Sequence, residues 1–247
     1  MHAMRQSPRH KPVFSSSHSN KYLMPKYKFL GMLYEALKRP FGRQALLGLV
    51  LTAVPIVSLL ATGYKVLCAA TAMRGNYELP EWKNWKQLFV FGLSARAIQG
   101  IWLAPAAILY AFIYLKLSSP ALDLPAIIFI GKLLAVFLVL LAAAAFFAPA
   151  SVLNYVAEGK FKSAFSWVAL RRAISKEYLI GWLLAGVYFA LTFALFVGAL
   201  LAAAGLGQSS FITIMVFLIY AVLFWFPGIT LWTLLGEAWG RAIQAKQ

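Results

Sequence analysis

Residues 63–85 read GYKVLCAATAMRGNYELPEWKNW and follow directly on the apolar run 45–62. The fold turns on where that run has carried the chain. It has either crossed a membrane or dipped into one and returned to the side it left. Lysine and arginine decide between the two, because cytoplasmic loops of membrane proteins carry the excess of both.

Nine basic residues precede residue 44, five lie in 63–96, two in 116–132, five in 150–177, none in 206–210 and two at the C-terminal end. If 45–62 crosses, there are five spans and eleven basic residues inside face twelve outside, so no bias remains. If it re-enters, there are four spans and the division is twenty-one against two. The second arrangement obeys the rule, so 45–73 is read as a re-entrant helical hairpin, with five spans as the alternative. Its 29 residues suit two arms of about 20 Å each at 1.5 Å per residue. Pro55 breaks the first arm, and Gly63 supplies the freedom for a sharp turn.

The class is set by composition. Of 247 residues, 62% are hydrophobic and 12% charged, which is too apolar for an ordinary soluble domain. Apolar runs at 97–115, 126–149, 178–205 and 211–235 are long enough to cross about 30 Å of hydrocarbon as helices. No short segments of period two suggest a β-barrel. The expected fold is an all-α polytopic bundle with four spans, the hairpin and amphipathic interfacial helices.

Residues 1–22 are basic and polar, lack a signal-peptide pattern and read as a disordered cytoplasmic tail. Residues 23–247 form the membrane domain. Within it, 27–42 places Phe29, Leu30, Leu33, Leu37 and Phe41 on one helical face, with Lys28, Glu35, Lys38 and Arg39 on others. Residues 80–94 read as an interfacial helix with Pro80 at its first position, Glu81 at the positive dipole end, and Trp82, Trp85, Leu88 and Phe89 on one face. Residues 161–175 read as a third such helix, following Gly159 as the stop of the preceding one. Cys68 excludes an internal disulfide and reads as a small buried hydrophobe.

Two blocks resemble the prokaryotic membrane-protein family known as domain of unknown function 4013. The first is Gly63–Tyr64, then Leu79–Pro80–Glu81–Trp82, then Gly92. The second is Ala157–Glu158–Gly159 with Ala164–Phe165. The resemblance spans roughly Leu46 to Ala173 and implies a cell inner membrane, without an established activity. Lys83, Asn84 and Phe91 stand where the family often places acidic residues, so no role needing negative charge carries over.

The net charge of +16 reads as positive-inside topology and attraction to anionic lipid headgroups, not as nucleic-acid binding. Among charges near or within spans, Arg96 anchors its helix at the headgroups, and Lys132 snorkels outward toward Asp123. Glu237 and Arg241 form a helix-surface pair. Gly236 to Gly240, GEAWG, is a small-xxx-small pattern, and Pro105, Pro149 and Pro227 are expected to kink their helices. The histidines, His2, His10 and His18, all fall in the tail. With one cysteine and seven scattered carboxylates, no metal site, cofactor site or catalytic triad assembles.

The expected function is therefore a non-enzymatic assembly, scaffold or membrane-modulating component with both termini cytoplasmic. Its partners would be the lipid bilayer, anionic headgroups, and other membrane proteins or further copies of itself. The alternative is a small transporter or channel subunit, with an enzyme on lipid a distant third.

Overall fold

The computed structural model describes residues 29–41, 45–52, 57–118, 123–205 and 210–245. The expected tail 1–22 and the break expected at Pro55 lie outside them. Among the described residues eight α-helices follow in order: α1 (Phe29–Lys38), α2 (Ala45–Thr52), α3 (Ser58–Ala72), α4 (Trp85–Leu117), α5 (Leu124–Glu158), α6 (Trp167–Ala173), α7 (Lys176–Gly205) and α8 (Ser210–Gln244). Short 3-10 turns occupy Arg39–Phe41 and Phe161–Phe165, and no strand occurs among the described residues.

Among the described residues three helices, Trp85–Leu117, Leu124–Glu158 and Lys176–Ala202, are long and apolar enough to cross a membrane. Their most apolar windows are only 17%, 6% and 11% buried inside the protein. Side chains such as Ile108, Leu138, Val139 and Leu195 thus face outward along most of each span. Water is a poor solvent for such faces; a hydrocarbon slab is a good one. The expected fourth span, 211–235, falls in α8, where most side chains before Phe224 are outside the described residues.

Ring and hydrogen-bond partners give the topology. In α4 and α5, Phe91 meets Tyr155, Trp102 meets Phe147 and Tyr110 meets Phe137, so the two helices run antiparallel. In α7 and α8, Tyr178 meets Trp239 and Phe196 meets Phe224, again antiparallel. Helix α3 runs parallel to α8, since Tyr64 lies by Trp225 and Ala69 by Gly236. The starts of α4 and α7 and the ends of α3, α5 and α8 therefore share one end of the molecule. That end also carries Lys38, Arg74, Lys83, Lys86, Lys160, Lys162, Arg171, Lys176 and Arg241. Lys116 and Lys132 sit toward the other. The packed core lies in the basic half, where Val66, Ile98, Val152 and Val156 meet in one cluster and Leu153, Tyr178, Leu235 and Trp239 in another.

Three expectations are corrected. Gly63 lies inside α3 and makes no turn. Its lack of a Cβ serves close packing instead: a Cβ there would overlap the Leu88 carbonyl oxygen, and one on Gly92 would overlap that of Leu59. Segments 80–94 and 97–115 are one helix, α4, because nothing between Leu93 and Ala97 breaks a helix. That helix starts after Asn84, whose side chain accepts from the Gln87 N–H at 3.2 Å, and leaves Pro80 and Glu81 outside it. Segment 161–175 is likewise divided, at Ser166, whose hydroxyl oxygen caps α6 by accepting from the Ala169 N–H.

Gly159 ends α5 in the left-handed region, at φ 70°, with its N–H on the Tyr155 carbonyl. Asp123 caps the start of α5 by accepting from the Ala126 N–H. Lys132 is exposed, and no ion pair joins it to Asp123 among the described residues.

Candidate functional site

The polar groups inside the basic half form two knots, and each fastens a peripheral segment to the bundle. The first is built on Arg39, which the 3-10 turn after α1 directs inward. One terminal nitrogen, Nη1, donates to the Cys68 carbonyl at 2.7 Å and to the Thr233 hydroxyl at 3.1 Å. The other, Nη2, donates to the Glu78 carbonyl at 2.8 Å and to the Thr71 hydroxyl. Helix α1, the end of α3, the loop before α4 and helix α8 thus converge on one guanidinium. Burial lowers its pKa from the ordinary arginine value.

Beside this knot the Glu237 carboxylate is 1% exposed and accepts from Arg241 at 2.5 Å and 3.1 Å. The pair has the expected i, i+4 spacing, but Glu237 is buried instead of lying on the helix surface. Apolar packing of Met32 and Ala36 from α1 against neighbouring Leu234 covers this stretch of α8. Burial first, and then the nearby Glu237 carboxylate, push the Tyr77 hydroxyl well above the usual tyrosine range.

The first sequence block assembles around Tyr64. Its hydroxyl donates to the Pro80 carbonyl at 3.0 Å, and its ring stacks on Trp82 at 4.1 Å and 3°. Leu79 and Trp82 pack against the cluster of Tyr64, Cys68, Leu88 and Trp225. With Gly63 against Leu88 and Gly92, the block is a clasp that lays the 73–84 loop back along α3. Glu81 pairs with Lys83 at the surface.

The second knot is centred on Asn154, fully buried near the end of α5. Its amide nitrogen donates to the Ser163 carbonyl at 2.8 Å, and its oxygen accepts from Arg172 at 2.8 Å. Arg172 also pairs with Glu158 at 3.4 Å. Ala164 is buried in the core while Phe165 is exposed. The second block thus surrounds a fold-back of the chain onto α5; Ala157 is half-buried and makes no distinctive contact.

Lys65, counted as a loop residue in the sequence reading, lies in α3 and donates to the Phe224 carbonyl at 3.1 Å, with its ammonium 5.1 Å above the Trp225 ring. Pro227 removes the N–H that would bond the Leu223 carbonyl, one residue before this acceptor. Gly228 leaves room for the lysine, since a Cβ there would come within 2.7 Å of Nζ. On the other side of the same turn is a cavity of about 30 Å³ lined by Phe189, Thr192, Phe193, Phe224, Pro227, Gly228 and Leu231. It is almost wholly apolar and does not include Lys132 or Thr62. Arg96 is exposed on α4.

Arg39 as a hub, Asn154, Lys65 and Tyr77 were not singled out from sequence. The available signal was a lone polar residue in an otherwise apolar turn, as in SVLNYVAE at 151–158. No group of three or more His, Cys, Asp or Glu that could hold a metal occurs among the described residues.

A family model described as protein of unknown function (DUF4013) matches residues 46–203. No curated protein and no solved structure matches the chain.

Proposed function

Because the chain belongs to the DUF4013 family, whose description carries no activity, its role has to be argued from its own residues, and we propose a non-enzymatic, multi-pass assembly or membrane-organising component. Its basic end faces the cytoplasm and rests on anionic lipid, and both termini lie on that side.

The observation that carries this reading is the Arg39 hub. The chain leaves Arg39 to enter α2 and is back at the same guanidinium by Cys68, Thr71 and Glu78. A stretch that crossed 30 Å of hydrocarbon would have its ends that far apart. A hairpin that enters and leaves from one side has them together, which supports re-entry of 45–73. On α4, the exposed Arg96 and Lys116 stand about twenty residues apart with no charge between them, about 30 Å at 1.5 Å per residue. That length suits one crossing by α4, and the packing of Gly63 on Leu88 and of Gly92 on Leu59 supports a hairpin at the near boundary of the crossing.

The scaffold reading draws support from what the buried polar groups do. Arg39, Asn154 and Lys65 each bond a backbone carbonyl of another segment. They hold the fold, and none of the three lines the Pro227 cavity, whose lining is apolar apart from Thr192.

Two measurements test the proposal. A cysteine placed by Asn76→Cys is expected to react with an impermeant thiol reagent only after cells are opened; Cys68 is buried and gives little background. Labelling from outside intact cells overturns the topology. Purification in mild detergent is expected to bring down a stoichiometric membrane partner or further copies of the chain. Solute or ion flux through liposomes holding the purified protein would overturn the scaffold role.

A further inference from the structure

The segment between α5 and α7 shows a face that the bundle does not use. Helix α6 buries Ala169 and Ala173 and turns Trp167 and Arg171 outward, and Ile174, just past its end, is exposed beside them. Trp167 is 73% exposed and Ile174 65%. In the preceding 3-10 turn, exposed Phe161 and Phe165 alternate with exposed Lys160 and Lys162, and the two rings meet at 5.9 Å. The segment is held in place from beneath: Asn154 bonds the Ser163 carbonyl and Arg172, and the Ser163 hydroxyl donates to the Lys160 carbonyl at 2.6 Å.

We propose that this face is an in-plane membrane anchor, with Trp167 and Ile174 sunk at the headgroup boundary and Lys160 and Lys162 bound to the phosphates of anionic phospholipids. The inference deepens the reading above, on which it rests for α5 and α7 crossing the bilayer. The occupant is the bilayer because the segment joins the ends of two membrane-spanning helices and so hangs within reach of the surface they enter. Charge complementarity selects its anionic lipids, and tryptophan with lysine is the pairing that suits a headgroup layer.

The test uses the full chain in nanodiscs of phosphatidylcholine alone or mixed with phosphatidylglycerol. A polarity-sensitive thiol dye on Val168→Cys is expected to emit blue-shifted light and to be quenched by a headgroup-level spin-labelled lipid, more strongly in the anionic discs. Mass analysis of co-purified lipid is expected to show phosphatidylglycerol retention falling about fivefold for each of Lys160→Gln and Lys162→Gln. A dye that stays in water in both disc types overturns the anchor. Equal retention of both lipids, unchanged by the lysine variants, overturns headgroup recognition. Both lysines are exposed, so these variants are expected to keep the wild-type unfolding midpoint. Failure of the underlying topology would show separately, at Asn76→Cys.

Discussion

Arg39 and Glu78, far apart in sequence, are joined by a 2.8 Å hydrogen bond from the guanidinium to the backbone carbonyl. The same side chain holds the Cys68 carbonyl, so it is tied to the end of the hairpin and to the loop beyond it. Arg39→Met would fill much of the space but leave two carbonyls and two threonine hydroxyls without their donor. The expected loss is about 2–4 kcal/mol, the range for breaking a buried charged network from one side. Arg39→Lys should recover only part of it, because a compact ammonium cannot span four acceptors. Thermal unfolding in detergent measures both. A methionine variant with an unchanged midpoint would remove Arg39 as the hub.

The helical glycines divide into two groups that a single methyl separates. Gly63→Ala and Gly92→Ala would each drive a Cβ into a backbone carbonyl of the facing helix, which cannot yield as a side chain can. Each is expected to cost about 1–3 kcal/mol or more by overpacking. Gly100→Ala and Gly186→Ala meet nothing within 4 Å and should be neutral or stabilising by up to about 1 kcal/mol, through helix propensity. Unfolding midpoints of the four variants provide the comparison. A tolerant Gly63 with an intolerant Gly100 would contradict the packing described here.

What the sequence made legible follows from which forces act locally. The long runs that became α5 and α7 were plain because hydrocarbon solvation acts residue by residue. The cap at Gly159 was plain because a left-handed residue after a helix favours glycine. Gly63 was misread as a turn because its function depends on a helix, α4, that approaches from outside its own segment. Pro80 was misread as a helix start for a similar reason: Tyr64 holds its carbonyl and Arg39 holds that of Glu78, so the stretch is fixed in a non-helical path. The pairing of Glu237 with Arg241 was visible from spacing alone, whereas its burial depends on the tertiary packing around α8. Long-range closure, not local propensity, decided each of the misread positions.

Asn154 offers a way to detach one surface element without disturbing the spans. Asn154→Leu is close in volume and leaves the Ser163 carbonyl and Arg172 without their buried partner. A loss of about 1–3 kcal/mol is expected, concentrated in the 160–176 segment and not in α5 itself. Limited trypsin digestion should then cut after Lys160 or Lys162 faster than in the parent, with far-UV helicity unchanged. Equal cleavage rates would mean that the fold-back is held by its apolar contacts alone.

Tyr77 supplies a pH dependence with a definite sign. Its hydroxyl is raised above the ordinary tyrosine value by burial first and by Glu237 second, while in the unfolded chain it titrates near about 10. The folded state therefore holds this proton more tightly than the unfolded state does. Its contribution is fully present below pH ~10 and is lost progressively as pH rises above that value. Tyr77→Phe removes the titrating group. Between pH 10 and 11 its unfolding midpoint should fall less steeply than that of the parent. Lysine deprotonation acts on both proteins alike and drops out of the comparison. Parallel curves across this range would show that the Tyr77 proton is no better held in the folded state than in the unfolded one.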